Sequence, residues 1–139
     1  MLRFAVLLTG RQDQAEDLVQ DAFVRAASRL PSIDAGDARP YLRATVLNLW
    51  RKRLRRLVLE RKTRQQPLPR AELAFEERDE LWGAIRRLPS RRRACLVLRF
   101  YEDLTERETA ELLGCSIGTV KSQTHKALQS LRQELSHED

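Results

Sequence analysis

The chain has 139 residues, 42% hydrophobic and 33% charged, which is enough apolar material for one or two small cores. Aromatics make up only 6% and strand formers are few, which argues against a β-sandwich or barrel. Twenty-six basic against 20 acidic residues leave a net charge of +6, favouring an anionic partner, either nucleic acid or an anionic membrane surface.

The first apolar stretch, Leu2 to Leu8, is far shorter than the ~20 residues that span a bilayer, and it lacks a signal-peptide cleavage site. No membrane insertion is expected. In chain order, Asp13-Gln14-Ala15-Glu16 then resembles a capping box. Beyond it Ala15, Leu18, Val19, Ala22, Phe23, Ala26 and Leu30 recur at three- and four-residue steps, predicting an amphipathic helix that Pro31 ends. Its other face presents Asp17, Gln20, Asp21 and Val24. Such a face is either solvated or a docking surface for a basic protein.

Residues 32–39 contain Gly36 and two aspartates and read as a loop, with Pro40 suited to the first turn of the next helix. On that helix Leu42, Val46, Leu49, Trp50 and Leu57 share one side. The other side shows Ala44, Asn48, Arg51 and Arg55, with Tyr41 and Lys52 at its edge. Residues 39–64 hold ten basic side chains and one acid, Glu60. A surface helix bound to an acidic protein, or one lying on a membrane, would share this charge. The aromatic and the amide on the polar face additionally suit stacking on, and hydrogen bonding to, unpaired bases.

Residues 63–70, with two prolines and two glutamines, break the pattern and read as an exposed linker. The basic excess is confined to residues 1–70, where 15 basic face 7 acidic side chains. The expected fold is all-α: two small helical domains, 1–62 and 79–139, joined by a flexible linker over 63–78. The second half opens on an acidic stretch and continues into Leu81, Trp82, Ile85 and Leu88 at helical spacing. After Pro89 a helix is expected from Arg91 to Tyr101, whose basic start opposes the macrodipole and hints that Arg91–Arg93 meet phosphate or an acidic surface.

Thr105-Glu106-Arg107-Glu108 is a second capping box, Gly114 supplies a left-handed stop, and Ser116 caps a further helix. Helix, glycine turn, helix is the layout whose second helix enters the major groove of DNA. Ile117, Val120, Thr124, Leu128, Leu131 and Leu135 fall on its buried side, with Ala127 nearby. Thr119, Ser122 and Lys126 face away, flanked by Lys121, Gln123 and His125, and the small Ser116 and Gly118 allow close approach of the helix N-terminus to a phosphate. Cys95 and Cys115 make no disulfide scaffold and, with His125 and His137, show no zinc-ligand spacing. With no glycine-rich phosphate loop, nucleophile elbow or paired His–Glu motif, the chain does not read as an enzyme, and no catalytic residue, metal or cofactor is expected.

At these residues the chain resembles the bacterial sigma-70 family, specifically its small extracytoplasmic-function (ECF) sigma factors, and most the actinobacterial SigE-like branch. The resemblance is carried by Leu2-Arg3-Phe4-Ala5, Leu8-Thr9-Gly10, Ala15 to Phe23, Leu88-Pro89, Leu98 to Thr105 and Gly118 to Gln123. It implies a cytoplasmic initiation factor whose partners are the RNA polymerase core, promoter DNA and, by family habit, an anti-sigma factor. By the same resemblance Asp17, Gln20, Asp21 and Val24 contact the polymerase clamp. Tyr41, Asn48, Arg51, Lys52 and Arg55 hold the melted downstream (minus 10) strand. Ser116, Gly118, Thr119, Lys121, Ser122, Gln123, His125 and Lys126 read the upstream (minus 35) duplex, and residues 81–101 dock on the polymerase flap. Relatives usually carry additional residues in the first helix, and many have Arg where Gln123 and Lys126 stand. The alternative function is a stand-alone helix-turn-helix regulator, which would need a dimerisation helix that the pattern does not show.

Overall fold

The computed structural model describes residues 1–64 and 80–136. They form helices joined by short turns, with no strand among the described residues. The chain divides into two compact units at residues 72/73. The stretch read as a linker lies outside the described residues, apart from residues 63 and 64, which are the last two of a helix.

The first unit holds α1 (Leu2–Thr9), α2 (Gln12–Ala26) and α3 (Ala35–Arg64), and α2 packs against both of the others. Phe4, Ala5, Val6 and Leu8 of α1, Ala15, Leu18, Ala22 and Ala26 of α2, and Leu42, Val46, Leu47, Leu49 and Trp50 of α3 are all buried. Four of these are alanines, and small side chains along α2 let its neighbours approach closely. At the end of α1, Gly10 takes the left-handed conformation (φ 76°, ψ 5°) and its N–H donates to the Val6 carbonyl. A side chain there would cost about 1–2 kcal/mol of backbone strain.

Several local expectations fail in this unit, and Phe23, read into the apolar stripe of α2, is 43% exposed. Asp13 is not a cap: α2 starts at Gln12, two residues earlier than that cap implies, behind an extended Arg11 that makes no side-chain cap bond. Asp13 lies in the first turn, paired with Arg11 at 3.2 Å. The Gln14 backbone N–H, joined by Arg11, holds its carboxyl below the usual range. The helix also stops at Ala26, its last buried residue, and a turn of 3₁₀ helix over Leu30–Ser32 carries Pro31. A proline disfavours α conformation in the residue before it, so with no core contact beyond Ala26 the α-helix has nothing to hold it. Finally, α3 begins at Ala35, and Pro40 is its sixth residue rather than part of its first turn. Proline there leaves the Gly36 carbonyl without its helical partner. Gly36 is exposed, so water can take that place.

The second unit is arranged around α7 (Ile117–Ser136), against which α4 (Glu80–Arg87), α5 (Ser90–Leu96) and α6 (Glu106–Leu113) all pack. Ala84, Leu88, Leu96, Ala127 and Leu131 form one buried cluster, with Ile85 and Leu128 packed on it. A π-helical turn, Val97–Tyr101, extends α5 and leaves Phe100 and Tyr101 exposed. Ile117 and Leu135, expected inside, are exposed. The 20-residue α7 is about 30 Å long while α4 and α6, at eight residues each, run about 12 Å, so its ends are not covered.

Arg93 also departs from expectation. It is buried, and its Nη1 donates to the Arg86 and Leu88 carbonyls at the C-terminal end of α4, at 3.1 and 3.3 Å. Burial lowers its pKa to about 10, so it remains a cation at neutral pH. Of the arginine triplet, Arg91 is exposed and Arg92 half-buried, so Arg93 does not face an outside phosphate. Cys95 is a core thiol, pushed up to about 11 by burial, and therefore protonated at pH 7.

Candidate nucleic-acid interface

Both ends of α6 and the start of α7 are capped. Thr105 Oγ1 accepts from the Glu108 N–H and the Glu108 carboxylate accepts from the Thr105 N–H, both at 3.1 Å, which completes a capping box. Gly114 is left-handed (φ 66°, ψ 37°), and the Cys115 N–H donates to the Ala110 carbonyl while the Gly114 N–H reaches that of Glu111. This is a Schellman arrangement, which satisfies carbonyls that α6 would otherwise leave open. One residue later Ser116 Oγ accepts from the Thr119 N–H at 3.1 Å, starting α7. The Ser116 and Thr119 hydroxyls are themselves 2.9 Å apart.

Val120, Ala127 and Leu131 anchor one side of α7 in the core. On the opposite side Ser116, Gly118, Lys121, Ser122, His125 and Lys126 are exposed, with Thr119 and Gln123 half-buried. A Cβ added at Gly118 would meet only Ser116 Oγ, at an ordinary 3.8 Å. The fold therefore does not require glycine there. All eight side chains expected at a duplex thus lie on the N-terminal half of one helix. Arg92 of α5, read from the sequence with its neighbours as a contact to phosphate or an acidic surface, instead donates through Nε to Gln123 Oε1 at 3.3 Å, a contact that the sequence does not reveal.

In the first unit, Asn48, Lys52 and Arg55 are exposed on α3 while Tyr41 and Arg51 are half-buried. Tyr41, Asn48, Lys52 and Arg55 follow at steps of seven, four and three residues, a stripe about 21 Å long at 1.5 Å per residue. Thr45 Oγ1 donates to the Tyr41 carbonyl at 2.9 Å, one turn back along the helix. Leu57 departs from expectation: it is 39% exposed, and Val58 and Leu59 are exposed with it. The 15 residues of α2 cannot cover all 30 of α3.

The acidic face of α2 has two kinds of member. Asp17, Gln20 and Val24 are exposed, Val24 at 71%. Asp21 instead ties its own fold, accepting from Arg25 at 2.9 Å and from Arg53 of α3 at 3.4 Å. Arg25 beside it, then Arg53, lower its carboxyl pKa. Among the described residues no group of three or more His, Cys, Asp or Glu could hold a metal ion, and no helix is long and apolar enough to cross a membrane.

One unit thus carries a basic stripe and the other a helix-turn-helix. The models for sigma-70 region 2 and sigma-70 region 4 match residues 1–59 and 78–131. The RNA polymerase sigma-E factor of Streptomyces coelicolor is 36% identical over 97% of this chain and 79% of its own length. This chain belongs to the ECF RNA polymerase sigma factors. The ECF RNA polymerase sigma factor EcfG of Rhodopseudomonas palustris is 33% identical over 92% of the chain and 75% of its own. Among solved structures, the sigma factor RpoE crystallised with the anti-sigma factor NepR from Bartonella quintana matches with a TM-score of 0.73. It covers 97% of this chain and 89% of its own at 24% identity, a likeness of fold. As a sigma factor the protein binds the RNA polymerase core and promoter DNA and directs initiation, and the stand-alone regulator is not favoured.

Proposed function

We propose that this sigma factor reads the upstream (minus 35) duplex with α7 and captures the melted downstream (minus 10) strand on α3. The observation that carries this reading is the two-sidedness of α7, whose core residues Val120, Ala127 and Leu131 leave Ser122, His125 and Lys126 facing solvent. In the other unit, Asn48 and Tyr41 would meet flipped or stacked bases, and Arg51, Lys52 and Arg55 the phosphates. Asp17, Gln20 and Val24 would dock on the polymerase clamp, with Asp21 at the edge of that surface, and residues 81–101 on the flap.

Residues 1–62 and 79–139 then act as region 2-like and region 4-like domains, joined by the segment between them. Each DNA-binding surface is small, so neither unit binds tightly alone. Held on polymerase, the first contact raises the effective concentration of the second. Catalysis belongs to the polymerase, and the site of action is the cytoplasm. The likeness to a sigma factor crystallised with an anti-sigma factor supports an inhibitory partner of that kind.

Run-off transcription with purified core polymerase, with and without the protein, tests the whole scheme. Asn48→Ala should hinder open-complex formation while leaving upstream duplex binding nearly intact. Lys126→Ala should do the reverse, with a shallower salt slope if its contact is to phosphate. Equal losses in both assays for either variant would remove the assigned division of labour.

A further inference from the structure

The base-facing groups of α7 are not all free to turn. Gln123 is half-buried, and its Oε1 accepts a hydrogen bond from Arg92 Nε–H on α5. A guanidinium has donors and no acceptor, so the amide prong that faces it is the oxygen. Oxygen and nitrogen occupy opposite prongs of a planar amide, which turns the Gln123 NH₂ away from α5. The Gln123 side chain makes no other hydrogen bond among the described residues.

We propose that Arg92 is a positioning residue for base readout, holding the Gln123 amide so that the groove meets a donor rather than a donor–acceptor pair. This rests on the reading of α7 as the groove helix. An unconstrained glutamine suits adenine, accepting from N6–H₂ through its oxygen and donating to N7 through its nitrogen. With the oxygen turned to Arg92, adenine's amino group loses its partner. Guanine instead offers two acceptors, O6 and N7, to the remaining NH₂. Cytosine, whose groove edge presents an amino donor, is disfavoured. At the base pair that Gln123 meets, the selected base is therefore guanine. Sequence alone points the other way, because glutamine on a recognition helix suggests adenine.

The test binds holoenzyme, reconstituted from core polymerase and the full chain, to duplex promoters randomised across the upstream element, and sequences the bound fraction. Arg92→Ala should lower the guanine-to-adenine ratio at one position roughly fivefold, leaving the other positions unchanged. Arg92→Lys keeps a donor and should retain guanine. Gln123→Glu keeps the Arg92 contact but removes the amide donors, and should move the same position toward cytosine. If Gln123→Ala alters one position but Arg92→Ala alters none, Arg92 does not orient the amide. If Gln123→Ala alters no position, there is no readout for Arg92 to direct. Should the wild-type holoenzyme select no upstream sequence at all, the groove-helix reading fails first and Arg92's role with it.

Discussion

The two long helices, α3 and α7, each carry a polar stripe, but they are supported differently. α7 is packed by three helices, and its buried residues, Val120, Ala127 and Leu131, extend over most of its length. On α3 the last buried residue up to position 60 is Trp50, while Arg51, Arg53 and Leu54 are half-buried and residues 55–60 are all exposed. On the proposed reading, the preformed upstream groove meets a face that its own unit holds in place. The downstream stripe instead begins over the core at Tyr41 and Asn48 and runs out beyond it at Arg55.

The largest expected effect compares two leucines on α3. Leu47 is fully buried, so Leu47→Ala should cost about 2–5 kcal/mol in urea unfolding of the first unit. Leu57→Ala should cost much less, about 1 kcal/mol, because Leu57 is already 39% exposed and has less buried surface to lose. Similar losses would mean that the far end of α3 is covered in solution. Next comes Arg93→Met, which leaves the Arg86 and Leu88 carbonyls without their donor and should destabilise the second unit by about 1–3 kcal/mol.

Gly118→Ala is expected to raise thermal stability, by about 0.4–1 kcal/mol, because the site is open, its backbone suits alanine and the unfolded chain loses freedom. Upstream duplex affinity should fall in the same variant if the missing side chain is what lets a phosphate approach. The smallest effect is Asp21→Asn, about 0.2–1 kcal/mol at neutral pH for a partly exposed ion pair. Folding lowers the Asp21 pKa below its ordinary 3.8, so the stabilisation is present above that pH and lost as pH falls through the folded value. Unfolding curves of wild type and Asp21→Asn should therefore converge in acid and separate at pH 6–7.

Much of the helix-turn-helix was legible because its signals are local. The Thr105–Glu108 box, the Gly114 turn and the Ser116 cap each concern residues within four positions of one another, and each forms as read. The first capping box failed for the complementary reason. Asp13 has the correct spacing, but the chain leaves Gly10 extended at Arg11 and winds into α2 two residues too soon. Arg93 had a signal that charge concealed: it stands three and four residues ahead of Leu96 and Val97, on the apolar face of α5. Leu57 and Ile117 kept the correct periodicity and still lie outside, since a pattern marks a face without saying how far a neighbour extends.

From residue order alone followed the all-helical class, the two-part layout, the exposed polar faces of α3 and α7, and the likeness to sigma factors. Each depends on periodicity and on caps that span a few residues. The Asp21–Arg53 tie between α2 and α3, the inward Arg93 and the Arg92–Gln123 contact were decided only by tertiary structure. These pair groups on different helices or across a turn, and which partners meet depends on how neighbouring helices pack, which no local pattern records.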